Sequence, residues 1–328
     1  MKTIRFGVLG AAKINNAVIP AMHAAKNIEC VAIGTQNPDK AQAQAQKLEV
    51  GQVMSYEALL ESDIDAVYIP LPNHLHLPWA LKALEAGKHV YVEKPMGLNP
   101  LQVTQILESA KAKNLLAMEG FMYRHHPQFT RAKEIINSGV LGEIRLIRSS
   151  FSFMLEQPEN IRWVRSFGGG ALYDLGCYCI NATLLLLGQT PTQAVARARV
   201  GGVTKSEEFS DLTSSAILEF ASAQAVFECS IAMPDRQHLE IVGSKGILEL
   251  PQFVHPAQEI GTLVLNGATE KTEQANRYQR LLEHFADVVN GEAALKFGAE
   301  TDSTNPLNQA KTIEMVQQAM GYEIKTSE

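Results

Sequence analysis

The stretch His89-Val90-Tyr91-Val92-Glu93-Lys94-Pro95 sets the reading of the chain. An apolar run goes straight into a charged pair and is stopped by a proline. A buried strand reads this way when its last residues carry functional groups to the carboxyl end of a sheet. Pro95 cannot continue a central strand, and it pushes Lys94 into an extended conformation. Taken alone, the same residues describe an ordinary strand end with a solvated Glu93–Lys94 pair, so the neighbouring segments have to decide.

Upstream, Ala66-Val67-Tyr68-Ile69-Pro70 is a second buried strand, emptying into Leu71-Pro72-Asn73-His74-Leu75-His76. Pro78 opens a helix over 79–86, and Gly87 closes it. Residues 41–48 and 56–60 read as helices, and Cys30-Val31-Ala32-Ile33-Gly34 as another strand. Earlier still, Ile4-Arg5-Phe6-Gly7-Val8-Leu9 runs into Gly10, and Ala11-Ala12-Lys13-Ile14-Asn15-Asn16 opens a helical pattern. Val18, Ile19, Met22 and Ala25 continue it at helical spacing. Strands and helices alternating in this way predict a doubly wound parallel sheet with right-handed crossovers. Ligands of such sheets bind beyond the carboxyl ends of the strands. The Gly10 turn, Thr35-Gln36, Pro72-Asn73 and Glu93-Lys94 all belong to that edge.

The Gly10 turn has the positions of a G-x-G-x-x-G fingerprint, with Ala12 in the second place and Asn15 in the third. Gly10 serves the backbone of the turn, and a pyrophosphate can approach the free N–H groups at the start of the next helix. About twenty residues on, where the ribose is read, the sequence is Thr35-Gln36-Asn37. An acidic residue there would favour NAD and an arginine NADP. Gln36 is neither, and the phosphate state stays open. His74-x-His76 and His125-His126 lack a partnering cysteine or acidic cluster at ligand spacing, so no metal is expected.

After a strand at Leu115-Leu116-Ala117-Met118-Glu119-Gly120-Phe121 and a helix over 128–137, strands dominate. They are expected at 144–153, 195–200, 214–220, 224–231 and 239–250, the last folded at Gly243-Ser244-Lys245-Gly246. Ala225, Phe227 and Cys229 alternate with Val226 and Glu228, as in a sheet with one covered face. Such an open sheet commonly pairs with its own copy, which predicts a homo-oligomer, a dimer or tetramer. Between these strands lies Gly168-Gly169-Gly170-Ala171-Leu172-Tyr173-Asp174-Leu175-Gly176-Cys177-Tyr178. Its glycines let the backbone bend past a ligand, and the rest reads helical to Leu187. Asp174 and Tyr178 fall on one helix face. One reading has Asp174 capping and Tyr178 packing. The other sets both beside Lys94, where an ammonium lowers a phenol from its usual pKa of about 10 and makes it a usable proton carrier.

With 328 residues, 46% of them hydrophobic, the chain is long enough for two domains. A net charge of −6 without any Lys/Arg cluster argues against nucleic acid. The apolar run at 182–187 is far too short for a membrane span, and the amino terminus carries no signal-peptide h-region. Four cysteines without a C-x-x-C pair fit a reducing, cytoplasmic setting.

Together these residues resemble the glucose–fructose oxidoreductase, inositol dehydrogenase and rhizopine catabolism (Gfo/Idh/MocA) family, over essentially the whole chain. The resemblance is carried by the Gly10-Ala11-Ala12-Lys13-Ile14 turn, Pro72-Asn73-x-x-His76, Glu93-Lys94-Pro95, and Gly168-Gly169-Gly170 with Asp174 and Tyr178. Phe121-Met122-Tyr123-Arg124-His125-His126-Pro127, Asn160-Ile161-Arg162 and Asp174-Leu175-Gly176-Cys177-Tyr178 look most like the branch of aldose (xylose-type) dehydrogenases, dihydrodiol dehydrogenases and ketosugar reductases.

The resemblance implies an α/β chain with a Rossmann domain over 1–122. A second α/β domain over 123–328 would bind substrate and oligomerise through an open, mostly antiparallel sheet. The final helix, 306–320, would pack back on the first domain. NAD or NADP would lie against Gly10, Ala11, Ala12, Lys13, Ile14, Thr35, Gln36, Asn37, Leu71 and Pro72. Asn73 and His76 would border the nicotinamide and Glu93 its ribose, with Arg124 and Arg162 as further cofactor or substrate contacts. Lys94 would bind the reacting oxygen, and Asp174 would orient the sugar and the lysine. Tyr178 stands where much of the family has histidine, and takes the proton-transfer role with Lys94 as the competing candidate. The implied activity is reversible hydride transfer between the nicotinamide and a sugar or polyol. The alternatives are a non-catalytic NAD(P)-binding sensor or scaffold, and an NAD-dependent glycosidase.

Overall fold

Short apolar runs alternate with helical repeats along the first third of the chain, and each run becomes a strand. The computed structural model describes residues 2–201 and 210–321. Its first elements are β1 (Ile4–Leu9), α1 (Asn15–Ala24), β2 (Ile28–Gly34), α2 (Pro38–Lys47), β3 (Gln52–Met54) and α3 (Tyr56–Glu61). Then come β4 (Ala66–Ile69), α4 (His76–Glu85), β5 (His89–Val92), α5 (Pro100–Ala112) and β6 (Ala117–Glu119). The strands pair in parallel in the order β3-β2-β1-β4-β5-β6, so the direction of winding reverses between β1 and β4. That reversal is the switch point at which doubly wound sheets bind ligands. The central strands are apolar on both faces, and Val67, Tyr68, Ile69, Val90, Tyr91 and Val92 are all fully buried. Side-chain oxygens start the helices where the sequence offers them: Asn37 accepts from Lys40 N, and Ser55 from Ala58 N.

Later elements are α6 (Pro127–Asn137), β7 (Ile144–Met154), α7 (Cys177–Leu187), β8 (Gln193–Gly201), β9 (Ser210–Glu219), β10 (Gln224–Ser230) and β11 (Ala232–Gly243). They are followed by β12 (Ile247–Leu250), β13 (Ile260–Leu265), β14 (Ala268–Gln274), α8 (Arg277–Val289) and α9 (Pro306–Met320). Strands β7 to β14 form an eight-stranded sheet in the order β14-β13-β12-β11-β7-β10-β9-β8. It is antiparallel apart from the β7–β10 pair. In β10 Ala225, Phe227 and Cys229 turn inward under α7, while Gln224 and Val226 point to the other face. On that second face Val195, Ile217 and Ile247 are exposed beside the ion pairs Arg148–Glu240 and Arg236–Glu228 and the His238–Glu249 hydrogen bond.

The chain divides into two compact units. Met1–Gly97, Leu101–Met122 and Asn276–Gly298 make the first, and Leu98–Pro100, Tyr123–Ala275 and Ala299–Glu328 the second. The segment that rejoins the first unit is therefore α8. Its Tyr278, Leu281, Leu282 and Phe285 repeat at helical spacing and are buried, and Phe285 packs at a tilt against Phe6 of β1 with ring centroids 5.1 Å apart. α9 belongs to the second unit, where it packs on α7 and β8. Its Gln309 donates to Cys177 O at 2.8 Å and accepts from Asn181 at 3.2 Å, so buried amides join α9 to α7.

Candidate active site

In the first unit the Gly10 turn is stitched by two side-chain amides. Asn15, fully buried, donates to Gly10 O at 2.9 Å and to Gln44 Oε1 at 2.8 Å, and Gln44 donates onward to Ala12 O at 2.9 Å. Asn15 thus turns a missing third glycine into a brace, with Gln44 of α2 as a partner that sequence spacing did not reveal. Gly10 has φ 92, and a Cβ there would stand 3.0 Å from Leu71 Cδ2. The turn after β1 and the loop after β4 therefore approach closely. Ile14 at the N-cap of α1 supplies no side-chain acceptor. Ala11, Ala12 and Ile14 are half-buried and Lys13 is exposed, while the N–H groups of Asn15, Asn16 and Ala17 donate back to Ala12, Lys13 and Ile14 O. At the end of β2, Thr35 is buried and its hydroxyl accepts from Asn37 N at 2.8 Å, while Gln36 and Asn37 are exposed.

The ends of β4 and β5 are joined by His76. Its Nδ1 lies 2.9 Å from Pro95 O and its Nε2 2.8 Å from Leu71 O, in a fully buried ring. Burial above all, against the two carbonyls, lowers its pKa to about 4, and Lys94 pushes the same way. A neutral ring has one N–H, so the two carbonyls compete for it. His76 is turned into the fold as a tie between loops, and Asn73 begins the half-buried 3₁₀ turn (Asn73–Leu75) ahead of it. Glu93 accepts from Tyr68 Oη at 2.7 Å. Burial and the Glu93 charge push that phenol well above its ordinary range. Beyond the cis Lys94–Pro95 bond, Met96 N donates to Glu119 at 2.8 Å. Glu93 and Lys94 thus leave β5 on a loop held at both ends, and both are half-buried.

In the second unit the expected helix begins irregularly. Leu172–Gly176 is a π-helical turn, which passes into α7 at Cys177. Asp174 lies in this turn and Tyr178 just beyond it. Arg162 grips Asp174 in a fork, Nε to Oδ2 at 2.6 Å and Nη2 to Oδ1 at 3.2 Å. The Asp174 charge, and to a smaller degree Tyr178, raises the pKa of the Arg162 guanidinium further. The resemblance implies a cofactor or substrate contact for Arg162, and here its planar fork is committed to the carboxylate. Tyr178 is 6% exposed, with its ring centroid 5.8 Å from Tyr123 and 5.6 Å from Phe151. Arg124 is buried, at 2% exposure, in the 3₁₀ turn Met122–His125.

Among the described residues no group of three or more His, Cys, Asp or Glu is placed to hold a metal. In the second histidine pair, His126 Nε2 meets Glu259 O at 3.1 Å, and its Nδ1 accepts from Gln128 N at 3.2 Å. Among the described residues, Arg165–Leu187 is the one helical stretch long and apolar enough to cross a membrane, and 89% of its apolar 18-residue window is buried inside the protein, as in a core helix.

Residues 4–121 match the model of an oxidoreductase family with an NAD-binding Rossmann fold, and residues 129–249 match the GFO/IDH/MocA C-terminal domain. The chain belongs to the Gfo/Idh/MocA oxidoreductases. It is similar to D-xylose 1-dehydrogenase (NADP(+)) 2 of Haloferax volcanii, with 37% identity over 87% of this chain and 88% of that protein. It is 31% identical to a dTDP-3,4-didehydro-2,6-dideoxy-alpha-D-glucose 3-reductase of Streptomyces violaceoruber, over 97% of this chain and 96% of that protein. Among solved structures it resembles a 3-ketoreductase from Actinomadura kijaniata in complex with NADP and TDP-benzene. The TM-score is 0.86 at 31% identity, covering 97% of this chain and 98% of that one. Like its family, the chain is an NAD(P)-dependent oxidoreductase with a Rossmann domain. The features of the Gly10 turn fit that dinucleotide: a positive φ, no Cβ, and residues 11–14 left half-buried or exposed ahead of α1.

Proposed function

We propose that this oxidoreductase interconverts a hydroxyl and a carbonyl on a sugar-like polyol, with Tyr178 moving the proton on the reacting oxygen and Lys94 binding that oxygen. NAD(P), held by the first unit, would supply or accept the hydride. Lys94 Nζ donates a hydrogen bond to the oxygen and favours its negative charge as it develops. Tyr178 Oη delivers or removes the proton, with Lys94 as the competing donor. Asp174 accepts from a neighbouring sugar hydroxyl and orients it. The carrying observation is the Arg162–Asp174 fork beside Tyr178: a carboxylate fixed in direction can orient a polyol, whereas a mobile one cannot.

Gly10 to Ile14, Thr35 to Asn37, Leu71 to Asn73 and Glu93 are the residues we assign to the cofactor. Gln36 and its neighbours present no carboxylate to the ribose. With relatives named for or crystallised with NADP, this favours the phosphorylated form. Pairing of two copies through the open face of the second sheet, in a reducing cytoplasm that keeps all four cysteines as buried thiols, completes the proposal.

A panel of aldoses, inositols and ketosugars against NAD and NADP, followed by nicotinamide absorbance, tests it. Turnover of at least one sugar, faster with NADP, is expected. Glycoside cleavage without net change in absorbance, or no sugar changing the redox state of either cofactor, would overturn it.

A further inference from the structure

Asp211, on β9, takes no part in the chemistry proposed above. It is fully buried, on a strand paired on both sides by β8 and β10. Its Oδ2 accepts from Leu172 N at 2.8 Å and from Ser214 Oγ at 2.6 Å. Leu172 is the first residue of the π-turn that contains Asp174. Beside it the chain passes Gly170 with φ 105, where a Cβ would overlap the Asp211 carboxylate. The same glycine donates its N–H to Arg162 O at 2.9 Å. A strand carboxylate therefore grips the start of the π-turn, and the glycine at the grip keeps Arg162 in step.

A π-turn is an extra residue in an α-helix and needs outside support to persist. Its relaxation to an ordinary helix would rotate Leu172 to Asp174 by roughly 100° against α7. Asp174 would swing away from Tyr178 and from Arg162. We propose that Asp211 is a positioning residue for the oxidoreductase reaction, holding the π-turn in register so that Asp174 and Tyr178 face the substrate together. This rests on the roles proposed for those two residues.

The position is costly to the fold. Burial first of all lifts the Asp211 carboxyl to about 6, against the hydrogen bonds from Ser214 and Leu172 and the charge of Arg165. Cys229, close enough to feel Asp211, is a deeply buried thiol that the Asp211 charge pushes higher still. A carboxyl raised from its ordinary 3.8 to about 6 on folding is tolerated best when protonated. Its stabilising contribution is therefore present in acid and lost as pH rises through about 6. At neutral pH the charge weakens the fold at the spot where it grips the π-turn.

The test compares Asp211→Asn and Asp211→Ala with the wild-type chain. Thermal unfolding is recorded at acid and neutral pH, hydrogen exchange is followed in peptides covering 168–180, and turnover is measured with NADP and the best sugar of the panel. Asp211→Asn keeps an acceptor for Leu172 N, so it should be as stable as wild type or more so at neutral pH and lose the decline in stability around pH 6. It should turn over within about twofold of wild type, whereas Asp211→Ala should turn over more slowly by about fivefold or more. Asp211→Ala, with no acceptor for Leu172 N, should exchange at least about tenfold faster across the turn. Stability and activity lost together in Asp211→Asn would mark a merely structural residue. Unchanged exchange in Asp211→Ala overturns the proposal without any assay of turnover. Tyr178→Phe separates the two claims: if it is inactive while both Asp211 variants turn over normally, only Asp211 is misassigned, and if it is fully active, the proton role itself fails.

Discussion

The two units present the residues proposed for the chemistry by different means. In the first, Gly10, Thr35, Leu71 to Asn73, Glu93 and Lys94 lie just past the ends of parallel strands, where the sheet's hydrogen bonding fixes direction and the loops are tied across by His76, Asn15 and Gln44. In the second, Asp174 sits in a π-turn whose geometry is imposed from elsewhere, by Arg162 twelve residues before it and by Asp211 thirty-nine residues after Leu172. A strand end is supported by every neighbour in the sheet. The π-turn depends on a few charged contacts, so single substitutions should distinguish the two sets of residues.

The largest separation is expected at Arg162. Arg162→Ala removes the fork on Asp174 and should lower kcat/KM for the sugar by about a hundredfold, with NADPH affinity within about twofold of wild type. Arg162→Lys should recover little, because an ammonium is a point charge and cannot hold both carboxylate oxygens in one plane. Kinetics at varied sugar and fluorescence titration with NADPH check both. Weakened NADPH binding with normal sugar kinetics would return Arg162 to the cofactor.

Glycine substitutions sharpen the contrast. A methyl at Gly170 meets a buried, hydrogen-bonded carboxylate at φ 105, whereas one at Gly10 meets the flexible end of Leu71 at φ 92. Gly170→Ala should cost about 3 kcal/mol and Gly10→Ala about 1 kcal/mol, both read by denaturant unfolding. Gly10→Ala should show its effect in NADPH affinity. Equal losses of stability would mean that the π-turn is no more constrained than the first turn.

The smallest effect belongs to the brace in the first unit. Asn15→Ala removes two hydrogen bonds at the Gly10 turn and should weaken NADPH binding by about 1 kcal/mol, a few-fold in Kd, while kcat holds. Titration of the variant beside wild type decides it.

These differences also explain what the sequence could and could not say. Strand–helix alternation up to Glu119 was legible because buried parallel strands are continuous apolar runs, and it led directly to the carboxyl edge. β3, three residues long with none of them buried, was not legible. Neither was β14, whose Ala268–Gln274 run is polar and edge-like. α8 carries a clear apolar period but lies far along the chain from the strand it covers, so period alone could not assign it to the first unit. Asp174 and Tyr178 were readable as neighbours four apart. The π-turn, the Arg162 fork and Asp211 were not, because each depends on a contact between segments apart in sequence. An isolated aspartate among Ser210, Thr213 and Ser214 resembles any strand start, and only the fold shows which amide it holds.

The most direct test of the proton assignment is single-turnover oxidation of NADPH by the best ketosugar or aldose, in wild type, Tyr178→Phe and Lys94→Ala, with NADPH affinity measured alongside. Each variant should slow the step at least about tenfold while binding NADPH as wild type does. Wild-type rates in both variants would contradict a site in which this phenol and this ammonium handle the reacting oxygen.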